Sequence, residues 1–457
     1  MSTLYRFVFC FSFALGMGSL SRAASPADQV LVMISVDGLA GSYLDDPKAE
    51  MPAIRELAAK GTRAAGMTAS TPTVTWPNHT TLVTGVTPAR HGVVGNNYFD
   101  RAAGKRVVLI SDPVYDKAEI VKVPTIYDVA KQAGLKTAAV LWPASRNASA
   151  LDWTTPDVLT AELIQKYTTP ALLAECAQAG LELPRVKENE ATPEKHEPRD
   201  DRNTKIFNLI LQKHHPQLGL LHLINVDHTQ HSFGPQSPEA YDAIKIADQQ
   251  VREVWDALQR EYPGQATLFI VSDHGFSANN RSVLPNVVLR KAGLTQPSKT
   301  GKGPNVQVVV QGGCALIYVQ DKEGREEVLK QVRKAFTGLE GVAKVVGIDQ
   351  FKQYGVADPA RDPHAPDLIL FTENGQFFGD TASGDLPFAD KPERKGSHGH
   401  DANYPNLYAT FVACGKGIKP GVRLGQITNL DVAPTAAKIL GLKMDNVEGK
   451  VLTAALE

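Results

Sequence analysis

Cysteine is scarce: four in 457 residues, none in CxxC spacing. One of them, Cys10, falls in an apolar N-terminal stretch, which leaves Cys176, Cys314 and Cys414. An odd set cannot pair completely, so at most one disulfide forms and a disulfide scaffold is excluded. An excess of one charge sign is also missing. The formal net charge is −1, from 48 basic and 49 acidic side chains, so no bulk field points to nucleic acid. Aromatic residues make up only 7%. After the N-terminal stretch no apolar run approaches membrane-spanning length, and there is no internal repeat or low-complexity segment. What remains is a chain with 43% hydrophobic residues and 29 prolines, enough for a large core with insertions.

The chain starts M-S-T-L-Y-R, continues F-V-F-C-F-S-F-A-L-G-M-G-S-L and reaches S-R-A-A-S. A basic residue, a short apolar stretch and small residues read as a secretory signal peptide over 1–23, cleaved after Ala23 or Ala24. The expectation is an exported chain, periplasmic or secreted, with a mature domain over 24–457. No stable membrane anchor would remain after cleavage.

Three apolar runs each end in an aspartate: Q-V-L-V-M-I-S-V-D at Asp37, L-G-L-L-H-L-I-N-V-D at Asp227 and A-T-L-F-I-V-S-D at Asp273. Runs of this kind read as strands buried on both faces of a parallel sheet. Their C-terminal tips open onto the crevice where open α/β sheets bind ligands. Helical patterns alternate with them. M-P-A-I-R-E-L-A-A-K-G has proline near its start and glycine just past its end. In S-P-E-A-Y-D-A-I-K-I-A-D-Q-Q-V-R-E-V-W-D-A-L-Q-R, residues Ala240, Ile244, Ala247, Val251, Val254 and Leu258 form one apolar stripe. The expected fold is α/β: a doubly wound, mostly parallel sheet flanked by helices. Two regions break the rhythm. Residues about 150–205, ending in a charged run, read as a surface excursion or cap. Residues about 280–395 read as an insertion with its own small sheet.

Carboxylates mixed with imidazoles are a donor set for a zinc-type cation. Asp227 and His231 are four apart and share a face if one helical turn follows the strand; His228 lies in the same segment. Asp273 and His274 are adjacent, so both reach one ion only through a sharp turn, which Gly275 permits. His398 and His400 lie in the Gly-rich G-S-H-G-H-D. In T-V-T-W-P-N-H-T-T, Pro77 sits where a first-turn proline belongs, which puts Thr75 and Trp76 at a helix entrance. Free N–H groups and the helix dipole favour an anion there. Thr75 is either an N-cap or a nucleophile whose hydroxyl a cation activates. Asn96 and Asn97 are turn residues, or one of them donates its amide to a phosphate oxygen.

These motifs carry a resemblance. D-G at Asp37, T-W-P-N-H at Thr75, T-G-V-T-P-A-R-H-G-V-V-G-N-N at Asn96, N-V-D-H-T-Q-H, S-D-H-G and G-S-H-G-H-D follow one another in the order of the nucleotide pyrophosphatase/phosphodiesterase family. The chain resembles that family, within the alkaline phosphatase superfamily, over most of its mature length. The resemblance implies an alkaline-phosphatase-like fold with cap-like insertions and two zinc ions, manganese or iron being able to occupy such a site. Asp37, Thr75, Asp273 and His274 match the ligands of the ion that activates the nucleophile. Asp227, His231 and His398 match those of the second ion, with His400 at a variable position. Asn96 matches the phosphate-contacting asparagine. Trp76 stands where the family usually has phenylalanine, beside the leaving-group or base pocket. His222 stands near a position where an aromatic residue often stacks on the nucleobase.

The activity so implied is hydrolysis of a small phosphodiester or nucleotide through a phospho-threonine on Thr75, with no nucleic-acid-binding surface evident. A phosphomonoesterase needs an added cation near the phosphate, for which Arg146 is the candidate, although a surface position suits it better. A phosphonate hydrolase could use the same metal core. A sulfatase is disfavoured, since Thr75 cannot become an aldehyde. A metal-binding protein without turnover would have no use for Thr75 or Asn96.

Overall fold

The computed structural model describes residues 29–457 except 111–114, 159, 184–195, 302, 391 and 393. The expected signal segment lies outside the described residues, as does most of the charged run within 185–202. The strands of the two largest sheets are β1 Val30–Val36, β2 Thr62–Thr68, β3 Thr137–Val140, β4 Trp153–Thr155, β5 Leu218–Leu223, β6 Ala266–Val271, β7 Val306–Gln311, β8 Cys314–Val319, β9 Val342–Gly347, β10 Leu368–Thr372, β11 Phe411–Gly415 and β12 Val422–Thr428. Eight of them form the main sheet, in the order β12-β2-β11-β6-β1-β5-β3-β4. Neighbours run parallel except β11, which is antiparallel to both β2 and β6.

The centre of the sheet is β1, between β5 and β6, and all three strands are buried at every residue. That burial explains why they read as continuous apolar runs rather than alternating ones. Helices cover both faces. On one face α1 (Pro52–Lys60), α3 (His196–His214) and α5 (Pro238–Glu261) pack Ile54, Leu57, Phe207, Ile210, Ile244 and Val251 against Val32, Ile34 and Leu221. On the other, α2 (Thr75–Thr84) and α6 (Val432–Ile439) bring Leu82, Val83, Val432 and Ala436 onto Leu31, Met33 and Phe269. Each such buried Val, Leu, Ile, Met or Phe side chain stabilises the fold by about 1.5–3 kcal/mol relative to exposure. The sheet is doubly wound and mostly parallel, as expected.

Residues 150–205 depart from a simple surface excursion. β4 pairs in parallel with β3 and ends the main sheet. Three residues are too few for a periodic signal, which is why the strand did not stand out. In α3 Ile206, Phe207, Ile210 and Leu211 are buried in the core, and of its charged residues Arg199 and Asp200 are buried as well. Within 280–395, β7, β8, β10 and β9 form a separate antiparallel sheet in that order. One of its faces packs on Leu329, Val332 and Phe336; the other, through Val309, Leu316 and Ile369, packs in one cluster with Trp76, Val93, Tyr98 and Phe99. The second contact ties the small sheet to the entrance of α2.

Candidate metal centre

Asp37 follows β1 directly, and its backbone N–H still bonds to Leu223 of β5 (2.9 Å). The chain then turns at Gly38, where φ is +70° and an added Cβ would sit 3.2 Å from the Cα of Asp227. Glycine meets both demands. The Gly38 N–H donates to Asp273 Oδ1 (3.2 Å), which joins the tips of β1 and β6. His274 N–H donates to the same oxygen (3.0 Å). Asp273 and His274 thereby face one point, with His274 Nε2 3.1 Å from Asp273 Oδ2 and 3.5 Å from Asp37 Oδ1. Gly275 has no positive φ. An added Cβ there would lie 2.2 Å from the Asn406 carbonyl, so close approach, not a left-handed turn, requires the glycine.

Asp227 is not at a strand tip. β5 ends at Leu223, and Asp227 lies in the first turn of α4 (Asn225–Phe233). The apolar run continues past the strand because the helix buries Val226. Asp200 of α3 makes this possible: its Oδ2 accepts from Ile224 N and Asn225 N (2.7 and 2.8 Å), two donors the helix start leaves open. One turn on, His231 Nε2 lies 3.5 Å from Asp227 Oδ2, and His398 Nε2 lies 3.5 Å from Asp227 Oδ1. The His274 and His398 rings stack at 3.7 Å. Two clusters result, Asp37–Asp273–His274 and Asp227–His274–His398, with His274 within reach of both.

The donor set fits cations. His231, His274 and His398 each place Nδ1 against a backbone carbonyl, of Gly396 (2.9 Å), Gly275 (3.1 Å) and Thr73 (3.0 Å). An Nδ1–H donated there leaves Nε2 as a bare lone pair, the tautomer of a metal ligand. Those nitrogens face carboxylate oxygens, an arrangement that needs a proton or a cation between them. Asp37 Oδ1, Asp227 Oδ1, Asp273 Oδ2 and His274 Nε2 are buried without hydrogen-bond partners. Such atoms are rare in native folds. Burial, then the charges of Asp273 and Asp227, push Asp37 well above the usual carboxylate range. Asp273 goes the other way: burial raises it, but His274 and His79 outweigh burial and hold it low. Burial and the neighbouring His274 and His231 push His398 well down.

The start of α2 lies against both clusters, His79 near Asp273 and Thr73 at His398. Val74 is its N-cap and Thr75 its first residue, so Thr75 is not the cap. His79 Nδ1 lies 2.9 Å from the Thr75 carbonyl and 3.6 Å from Asp273 Oδ2. Thr73 receives His398, as above, and donates its hydroxyl to the His400 carbonyl (2.9 Å). Asn96 accepts the Trp76 N–H on Oδ1 (2.9 Å), which leaves its NH₂ as the group available to an anion.

Several expected positions differ. His222 is 1% exposed and lies beneath the site, with Nε2 3.0 Å from Asp37 Oδ2 and Nδ1 3.0 Å from the Leu141 carbonyl. It cannot stack on a base from there, because β5 carries it inside the sheet. Trp76 is 2% exposed, packed in the core with Nε1 bonded to Asp157 Oδ2 (3.2 Å), so little of its face meets a ligand. Arg146 is no surface residue: it is 5% exposed, paired with Asp116 (2.9 Å) and set over the Tyr167 ring. His400 is buried against the Gln376 carbonyl, and none of His228, His231 and His400 enters a cluster, although His231 Nε2 lies 3.5 Å from Asp227 Oδ2. Cys176, Cys314 and Cys414 are buried and free. Sequence reasoning passed over His79, Asp157, Asp200 and Gln311; of these only His79, one turn after Thr75, had a local signal.

The model of the family described as type I phosphodiesterase/nucleotide pyrophosphatase matches residues 31–401. Over 437 residues the chain is 24% identical to a venom phosphodiesterase of Naja atra, covering 93% of this chain and 46% of the relative. Over 419 residues it is 25% identical to human ectonucleotide pyrophosphatase/phosphodiesterase family member 1, covering 90% and 40% respectively. The chain thus spans less than half the length of these curated relatives. Murine ectonucleotide pyrophosphatase/phosphodiesterase 5 shares the fold with a TM-score of 0.70 at 20% identity, over 94% of this chain and all of that one. An inactive variant of that murine protein, in complex with AMP, matches at a TM-score of 0.69. With the family's model matching most of its length, the chain belongs to the type I phosphodiesterase/nucleotide pyrophosphatase family.

Proposed function

We propose that this chain is an exported hydrolase of phosphodiester or pyrophosphate bonds in small nucleotide-type substrates, with Thr75 as nucleophile. The observation that carries the reading is the facing set of bare imidazole nitrogens and unpartnered carboxylate oxygens beside the entrance of α2. Asp37, Thr75, Asp273 and His274 would hold one cation and Asp227, His231 and His398 the other. Two such cations, zinc by donor type with manganese or iron as alternatives, would supply Lewis-acid stabilisation and a lowered pKa for the attacking hydroxyl.

The chain's own residues account for the rest. Thr75 gives up its hydroxyl proton to solvent and its Oγ attacks phosphorus in line; the bond to the leaving oxygen breaks and that oxygen departs with the electron pair, taking a proton from solvent as its basicity requires. The Asn96 NH₂ donates to a non-bridging oxygen, and the first N–H groups of α2 favour its charge. Water then attacks the phospho-threonine, the phosphorus–Thr75 bond breaks, and Thr75 Oγ regains a proton. The engagement of Arg146 with Asp116 and Tyr167 speaks for diesters over monoesters, since that cation is already committed. The N-terminal pattern over 1–23 supports export, as do the venom and ecto-enzyme names of the relatives.

The test is kcat/KM of zinc-loaded protein on bis-p-nitrophenyl phosphate against p-nitrophenyl phosphate, beside Thr75→Ala. The expected result is diester preference, with turnover lost in the variant and zinc content kept. Near wild-type turnover by Thr75→Ala overturns the assignment, and monoester preference moves the chain to the phosphatase branch.

A further inference from the structure

The small sheet reaches the site through one side chain. Gln311 ends β7 and pairs with Cys314 across the two-residue turn Gly312–Gly313. Its Oε1 accepts the Asn96 N–H (3.2 Å) and its Nε2 donates to the Asn97 carbonyl (2.5 Å). One buried carboxamide thus closes on the backbone before and after the Asn96 side chain, from 215 residues away in sequence.

The turn that carries Gln311 has no slack. Gly313 N–H donates to the His398 carbonyl (2.8 Å). A Cβ on Gly312 would meet that carbonyl at 2.2 Å, and one on Gly399 would meet the Gln311 carbonyl at 1.8 Å. The turn and the loop of His398 therefore pack backbone on backbone. From this platform the Gln311 amide fixes where the Asn96 backbone sits, while Trp76 N–H fixes its Oδ1. A positioned donor is worth far more than a wandering one, and a 1 Å error can remove about 100-fold of rate.

We propose that Gln311 is a positioning residue for phosphoryl transfer, holding the Asn96 amide at the non-bridging oxygen. The proposal rests on the role given to Asn96 above. It assigns the small sheet a part in the chemistry: its edge aims a donor into a site built on the other sheet.

The test is a double-mutant cycle with Gln311→Met, which keeps the volume and removes both bonds, and Asn96→Ala. Two quantities are read on the zinc-loaded protein: kcat and KM on bis-p-nitrophenyl phosphate, and calorimetric affinity for inorganic phosphate. Gln311→Met should lower kcat about 10- to 100-fold with a smaller change in KM, weaken phosphate, and leave zinc content unchanged. It should add little on top of Asn96→Ala, because the two act through one contact. Gln311→Glu, which keeps the acceptor for Asn96 N–H, should fall in between, and it carries the cycle if the Met variant does not fold. Full additivity, or wild-type kcat in Gln311→Met, overturns the proposal and leaves the proposed function standing. A wild-type rate in Asn96→Ala overturns the role of Asn96 and this proposal with it, while loss of turnover in Thr75→Ala would still stand for the hydrolase.

Discussion

His222 Nε2 lies 3.0 Å from Asp37 Oδ2, on the side of that carboxylate turned into the protein. The other oxygen, Oδ1, is unpartnered and faces His274. Neutral His222 has one ring N–H for two facing acceptors, Asp37 Oδ2 and the Leu141 carbonyl; with that proton on Nε2 it orients the carboxylate of Asp37. Removal of such an outer partner typically costs 10- to 100-fold in metal affinity or activity. His222→Ala should therefore weaken one of two zinc sites by about 10- to 100-fold, read by competition with a chromophoric chelator. Unchanged affinity at both sites would show that Asp37 holds its orientation alone.

Asp200 ties α4 to α3, and burial pushes its carboxyl up to about 7, against the lowering effect of the Asn225 N–H. The folded pKa lies above the unfolded value of about 3.9, so the folded state holds the extra proton in the interval. Stability from this group is full below about pH 4 and falls as pH rises through about 7, by up to about 1.4 kcal/mol per pH unit. Asp200→Asn keeps an acceptor for the helix start and cannot ionise. Urea unfolding of the chelated proteins from pH 4 to 8 should show a smaller loss of stability toward pH 7 in the variant than in the wild type. Parallel curves would mean that Asp200 titrates near its ordinary value.

What was legible in the chain followed from local pattern. Asp37 and Asp273 stand out because β1 and β6 are buried on both faces and end abruptly. Asp227 and His231 stand out because four residues make one helical turn. His222 stayed silent because a histidine inside a buried run reads as core until its neighbour across the sheet is known. Trp76 and Arg146 carry no local mark of burial; Asp157 and Asp116, which hold them, lie 81 and 30 residues away. Gln311 and Asn96 are brought together only by the packing of one sheet against another.

Arg146 offers a check on the substrate class. Its guanidinium is committed to Asp116 and the Tyr167 ring, so Arg146→Ala should disturb the fold and not the selectivity. A loss of roughly 1–3 kcal/mol in unfolding free energy is expected for a buried paired cation of this kind. The ratio of kcat/KM for the diester and monoester p-nitrophenyl substrates should stay within about twofold of wild type, a difference of under about 0.4 kcal/mol. A ratio that moves tenfold would put Arg146 at the phosphate after all.

Gly399 separates backbone strain from steric exclusion beside a ligand. Its φ is +90°, and a Cβ there would lie 1.8 Å from the Gln311 carbonyl. Gly421 has a φ of +70° with nothing within 4 Å of a built Cβ. Both alanine variants pay about 1 kcal/mol or more for a left-handed residue, but only Gly399→Ala must also push the loop of His398 away from the small sheet. That displacement moves His398 relative to Asp227 and His274. Zinc measured by mass spectrometry on dialysed protein should fall from two toward one per chain in Gly399→Ala and stay at two in Gly421→Ala. Equal retention in both would mean that the loop yields elsewhere, and that the interlock between Gln311 and Gly399 does not hold His398 in place.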